Sequence, residues 1–170
     1  MTAARKPLQA LLETFAGNRA LTFHMLDELS DKDLHRKWPR PGLDTFAKHF
    51  SEMAAVERAF ADALSAGVMD FSGVPDVFEF KDVADRPALR QELESADRHL
   101  CKSVMAVSLD QVIDWGDGTR LSVSQHLCNV ISHEVFHQGQ MALAVYALGL
   151  KMPHSWVQNW ALPATNGEQS

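Results

Sequence analysis

A chain of 170 residues can build one good hydrophobic core but not two, so a single domain over residues 1–170 is expected. It is 46% hydrophobic and 22% charged, with a formal net charge of -6, and it has no Lys/Arg cluster along a helix; this balance excludes nucleic acid as a partner. No apolar run is long enough for a signal peptide or a bilayer span, so a cytoplasmic protein with no membrane partner is expected.

Four long segments carry helical periodicity. The first runs from about Ala3 to Leu29, with Leu8, Leu12, Phe15, Leu26 and Leu29 on one stripe. The second starts behind Asp44 or Thr45 as N-cap, after Pro41-Gly42, and stops near Gly67. The third is announced by Asp85-Arg86-Pro87 and continues to about Val107 through Leu89, Leu93, Ala96, Leu100 and Val104. Gly-Asp-Gly at 116–118 signals a tight turn, and with it a short hairpin, before the fourth helix. That helix opens at Ser122 or Ser124 and ends at Gly149. Trp156 and Trp160 then belong to a packed C-terminal extension, and polar residues Asn166 to Ser170 to a frayed end. Amphipathic helices without a sheet can bury their stripes only against one another, so the expected fold is an all-α four-helix bundle. The linkers after the first and second helices exceed what adjacent antiparallel helices need, and at least one serves as a crossover.

The chemistry is in the histidines. His133 and His137 are four apart on the fourth helix, one above the other, so both imidazoles can face one ion without a change of backbone. His126 lies seven and eleven residues before them, within roughly 20° of the same direction. His49 falls within the apolar stripe Phe46, Phe50, Met53, Val56, Phe60 and Leu64 of the second helix. Alone, each reads as a hydrogen-bonded core residue; together, His49, His133 and His137 on the core faces of two helices read as ligands of one metal with an open fourth position. His126 reads as a hydrogen-bonded core or outer residue. Cys101 and Cys128 are too few for a disulfide framework, lack metal-site spacing and read as buried thiols.

These residues resemble the DinB-like, or DNA-damage-inducible, metalloenzyme family, which includes thiol-dependent S-transferases. The resemblance is carried by Pro41-Gly42, by His49 one turn into the second helix, by His133, His137, Gly139 and Gln140, and by the run Gly118 to Ser122. It implies an up-down-down-up bundle that often dimerises. It also implies one divalent metal ion, zinc or nickel, on His49, His133 and His137. Two positions depart from the family pattern: Gln138 stands where Arg is usual, and Asn129 where a further histidine is common.

On this reading the ion activates a bound thiol or water, and a small-molecule substrate, with a low-molecular-weight thiol among the candidates, occupies the open position. Glu52 and Gln140, each one turn beyond a ligand, are the leading candidates for proton transfer or orientation, ahead of Glu57 and Glu134. Each glutamate taken singly reads as a solvated helix-face charge. A second possibility is a non-catalytic metal-binding or stress-response module. A third is a zinc peptidase, because His133-Glu134-Val135-Phe136-His137 satisfies H-E-x-x-H, but Gln140 and Leu143 stand where the elongated signature needs Gly and His.

Overall fold

A computed structural model describes residues 6–165, and the polar tail beyond 165 and the first turn expected from Ala3 lie outside them. The described residues are all-α apart from one small hairpin, in the order α1 (Lys6–Glu28), α2 (Asp31–Leu34), α3 (Phe46–Ala66), α4 (Arg86–Ala106), β1 (Val112–Asp114), β2 (Arg120–Ser122), α5 (Val123–Leu148) and α6 (His154–Trp160).

The helix ends follow from capping chemistry. Thr45, in extended backbone, accepts the Lys48 N–H on its hydroxyl and starts α3; Gly67 ends it in the left-handed region at φ 73°. Asp85 accepts the Ala88 N–H at 2.9 Å to start α4, with Pro87 in the first turn. Ser122 and Gln125 form a reciprocal capping box at the head of α5, and Gly149 closes it. The short α2, capped by Ser30, had no periodic pattern long enough to announce it.

Of the four long helices, α3 packs against α4 and α5, and α1 packs against α4 and α5. Their stripes fill two apolar clusters. One contains Met25, Leu26, Phe46, Phe50, Leu93, Met141 and Trp156. The other contains Phe15, Phe60, Leu64, Leu100, Val104, Leu127 and Val130. Trp156 of α6 is fully buried and donates its indole N–H to the Leu21 carbonyl at 2.7 Å, which ties the C-terminal extension to α1.

Between the clusters lies a polar layer. Arg19 reaches Glu57, Asp97 at 2.9 Å and Glu134 at 3.3 Å. Thr22 donates to Glu134, and Gln138 donates to the Asn18 carbonyl at 2.8 Å and to Thr22 at 3.0 Å. Glu52, Glu57 and Glu134 are all buried, which corrects their reading as solvated helix-face charges: a guanidinium from α1 serves the last two and two imidazoles serve the first. Both cysteines are exposed, not buried, because Cys101 and Cys128 fall on the outer faces of α4 and α5.

The loops are pinned as well. The segment after α3 starts on the hairpin, where Met69 N–H donates to the Asp114 carbonyl at 2.7 Å and Asp114 N–H to the Gly67 carbonyl at 2.9 Å. It ends on the loop before α3, where Asp82 accepts from Thr45 at 3.0 Å and lies 2.7 Å from His35. The hairpin pairs Ile113 with Leu121 in antiparallel register and places Trp115 beside Phe60.

Candidate metal centre

α3 and α5 bring four donors together. His137 Nε2 lies 3.1 Å from His133 Nε2 and 2.9 Å from Glu52 Oε2, and His133 Nε2 is 3.4 Å from Glu52 Oε1. One ligand atom from each of Glu52, His133 and His137 falls within 4.8 Å of the other two. His49 stands behind this group, with its Nδ1 2.8 Å from His137 Nδ1. All of this follows from helical spacing: positions 49 and 52 share a face of α3, and 133 and 137 share a face of α5.

The protonation states suit metal donors. Burial, reinforced by His137 and Arg40, pushes the His49 imidazole down to about 3, and burial lowers His137 as well. Burial alone would raise the Glu52 carboxyl, but the His133 and His137 rings beside it outweigh that and hold it at about 2. Near neutral pH, His49 and His137 are therefore uncharged and Glu52 is ionised, as a divalent ion requires of its ligands.

The proton pattern of the ring chain decides how well an ion fits. His49 Nε2 faces the Leu43 carbonyl at 3.1 Å and Arg40 NH1 at 3.1 Å. If Nε2–H serves the carbonyl, His49 Nδ1 accepts from His137 Nδ1–H, and His137 Nε2 is left as a bare lone pair 2.9 Å from a carboxylate oxygen. Two acceptors then face each other in a buried site, which calls for a cation. The opposite tautomer, with Nε2 accepting from Arg40, runs a closed chain of donors from Arg40 through His49 and His137 to Glu52 and needs no ion. The donor set fits a divalent metal in the first pattern, with His49 orienting His137 as outer residues orient ligating imidazoles.

Of the other residues singled out in the sequence, Gln140 accepts from Arg40 NH1 at 2.5 Å, so it reaches the donor group only through Arg40. His126 is fully buried, bonded to the Phe60 carbonyl at 2.9 Å and packed on Phe60 and Trp115, away from the donors. Glu134 of the H-E-x-x-H match is turned to Thr22 and Arg19, which removes it as a general base beside the histidine pair. The sequence reading missed Arg40 and Trp38, whose ring lies 5.2 Å from that of His49. A signal for Arg40 was present: it sits between Pro39 and Pro41, which restrict the backbone on both sides of it just before the histidine helix.

A cavity of about 610 Å³ opens beside His133 and Glu52, walled by α3, α5, the hairpin and the segment after α3. No curated protein is similar enough to match the chain. The model of the DinB family, by contrast, matches residues 1–161, so the chain belongs to the DinB family.

Proposed function

We propose that this protein is a metal-dependent enzyme that holds one divalent ion, zinc or nickel, between α3 and α5 and transfers a low-molecular-weight thiol to a small molecule bound in the adjoining cavity. The observation that carries the reading is the convergence of His133, His137 and Glu52, of which His133 and Glu52 line that cavity. When bound, the ion would supply a Lewis-acidic centre that lowers the pKa of a thiol or water. His133 and His137 are the donors common to every arrangement we consider. Glu52 takes the third place in the arrangement described above; His49, expected from the sequence, takes it after its ring gives up the bond to His137 or to Leu43. Glu52, when it is not a donor, is placed to accept the proton of a thiol entering beside it. Arg40 holds His49 and Gln140 together behind the donors. An up-down-down-up order of the long helices is part of the same proposal. It is supported by α1 and α5 passing from the Phe15 cluster to the Met25 cluster while α3 and α4 pass the other way. We also propose a cytoplasmic homodimer, in keeping with the acidic composition and with an absence, among the described residues, of any helix able to cross a membrane.

A second reading, a non-catalytic module with a structural histidine chain, is favoured by the closed tautomer from Arg40 to Glu52. Elemental analysis of tag-free protein purified without chelator separates the two. About one divalent ion per chain is expected, lost in His133→Ala. Of His49→Ala and Glu52→Gln, the variant that loses the ion identifies the third donor. Metal in none of the four proteins would establish the structural chain and overturn the enzyme reading.

A further inference from the structure

The cavity beside Glu52 and His133 has a chemical character that names what enters it. Its far wall is aromatic: Phe60, Phe71 and Trp115 meet edge to face, with ring centroids 5.5 Å apart for Phe60 and Trp115, 6.1 Å for Phe60 and Phe71, and 6.2 Å for Phe71 and Trp115. Phe71 is 43% exposed and Trp115 is only partly buried, so apolar ring surface stands open to a guest. Three converging rings favour a flat apolar body, which can stack or meet them edge-on.

The charges on the wall are all of one sign. Glu52 lies at the inner end and Asp76 in the segment after α3, and among the described residues no lysine or arginine lines the cavity. Asp76 is exposed, and its Oδ1 accepts the Phe78 N–H at 3.0 Å, which fixes the carboxylate in place and leaves its second oxygen for a guest. Asn129, one turn before His133, adds an uncharged amide. Arg40, the cation nearest the histidines, is turned to His49 and Gln140 and does not line this space. An ion on His133 and Glu52 would offset the Glu52 charge, which leaves Asp76 as the formal charge that meets the outer end of the guest.

The geometry points to a substrate with an apolar, ring-bearing body whose outer end is uncharged or carries a protonated amine, and to exclusion of molecules that present an anionic group there. This rests on the reading of Glu52 and His133 as ion donors, since they form the cavity's reactive end. A phosphorylated or polycarboxylate partner would bring negative charge against Asp76 with no cation among the described lining residues to receive it, whereas an amine gains an ion pair and three ring edges and faces.

The test uses three benzenethiols that share a sulfur anchor and carry an aminomethyl, a methyl or a carboxylate group para to it. Each is titrated into ¹⁵N-labelled protein purified without chelator, and the Trp115 indole N–H, identified by its loss in Trp115→Phe, reports binding. The amine is expected to bind about tenfold tighter than the carboxylate, the size of one reversed charge a few ångströms away in a partly hydrated cleft, with the methyl compound between. Asp76→Asn is expected to erase that spread and leave the methyl compound's affinity as it was. Equal affinities for amine and carboxylate, a spread that survives Asp76→Asn, or no Trp115 shift with any of the three overturns the inference. Ion content measured on the same samples tests the metal reading separately: an ion with no charge preference sinks this inference alone, and a charge preference without an ion sinks the metal reading alone.

Discussion

Arg19→Leu is the substitution that tests the polar layer most directly. The guanidinium is 3% exposed and is the cation shared by Glu57 and Glu134, each 2% exposed, and by the partly buried Asp97. It also lies over the Phe15 ring, 5.2 Å from its centroid. Leucine is apolar and can fill much of the space, so packing is largely retained while three carboxyl groups lose their counter-charge in a low-dielectric layer. Removing one partner of a buried ionic group costs about 3–5 kcal/mol, because what remains is uncompensated buried charge. For a domain of this size, about 2–4 °C of melting temperature per kcal/mol gives a midpoint lower by about 6–20 °C. Urea unfolding followed by circular dichroism, with the slope unchanged from wild type, would measure it. The companion variant Arg19→Leu/Glu57→Gln/Glu134→Gln removes two of the three stranded carboxyl groups and is expected to recover more than half of the loss. A loss under about 1 kcal/mol in the single variant, the range of an exposed ion pair, would refute the view that this cluster is a dry, interdependent unit.

Burial, aided by Asp97 and Glu134 and only partly opposed by Arg19, raises the Glu57 carboxyl well above its usual range. The folded state thus keeps a proton that the unfolded chain releases near pH 4.3, so this contribution is fully present below about 4.3 and is lost as pH rises through the folded value. Wild-type stability is therefore expected to fall more steeply than that of Glu57→Gln as pH rises above about 4.3, and parallel pH profiles would reject a protonated Glu57. Gly42→Ala is expected to cost about 1–2 kcal/mol in thermal unfolding, since φ is 76° there and an added Cβ would sit 3.0 Å from the Val77 carbonyl oxygen. Gly67→Ala has a similar φ of 73° but meets the movable end of Gln111, so it isolates the backbone part of that cost; equal losses at both sites would show that the Val77 contact is immaterial.

The sequence foretold the helix termini well because caps are local chemistry: Thr45, Gly67, Asp85, Ser122 and Gly149 each act within a few residues of themselves. The pairing of His133 and His137 was equally legible, and so was the proximity of His49 and Glu52 to them once α3 and α5 were neighbours. Helical angle fixes direction but not height, and for that reason His126 shares the stripe yet sits about 10 Å along the axis from His133, at the level of Phe60. What sequence could not show was partnership over long separations. Glu57 and Glu134 look like surface glutamates until Arg19, on a different helix, is brought to both. The exposure of Cys101 and Cys128 depends likewise on which faces of α4 and α5 are covered.

α5 is gripped on two sides. Glu134 and Gln138 are held by Thr22, Arg19 and the Asn18 carbonyl of α1, while His133 and His137, on the neighbouring positions, meet Glu52 and His49 of α3. The helix can neither roll nor slide by a residue without stranding one set of bonds or the other. The spacing of the histidine donors is thus an inheritance of folding and not a product of ion capture. An ion bound as proposed could leave and another take its place with the scaffold standing, so exchange by dialysis is expected to be reversible, and any element found in the purified protein would record supply in the cell as much as preference of the site.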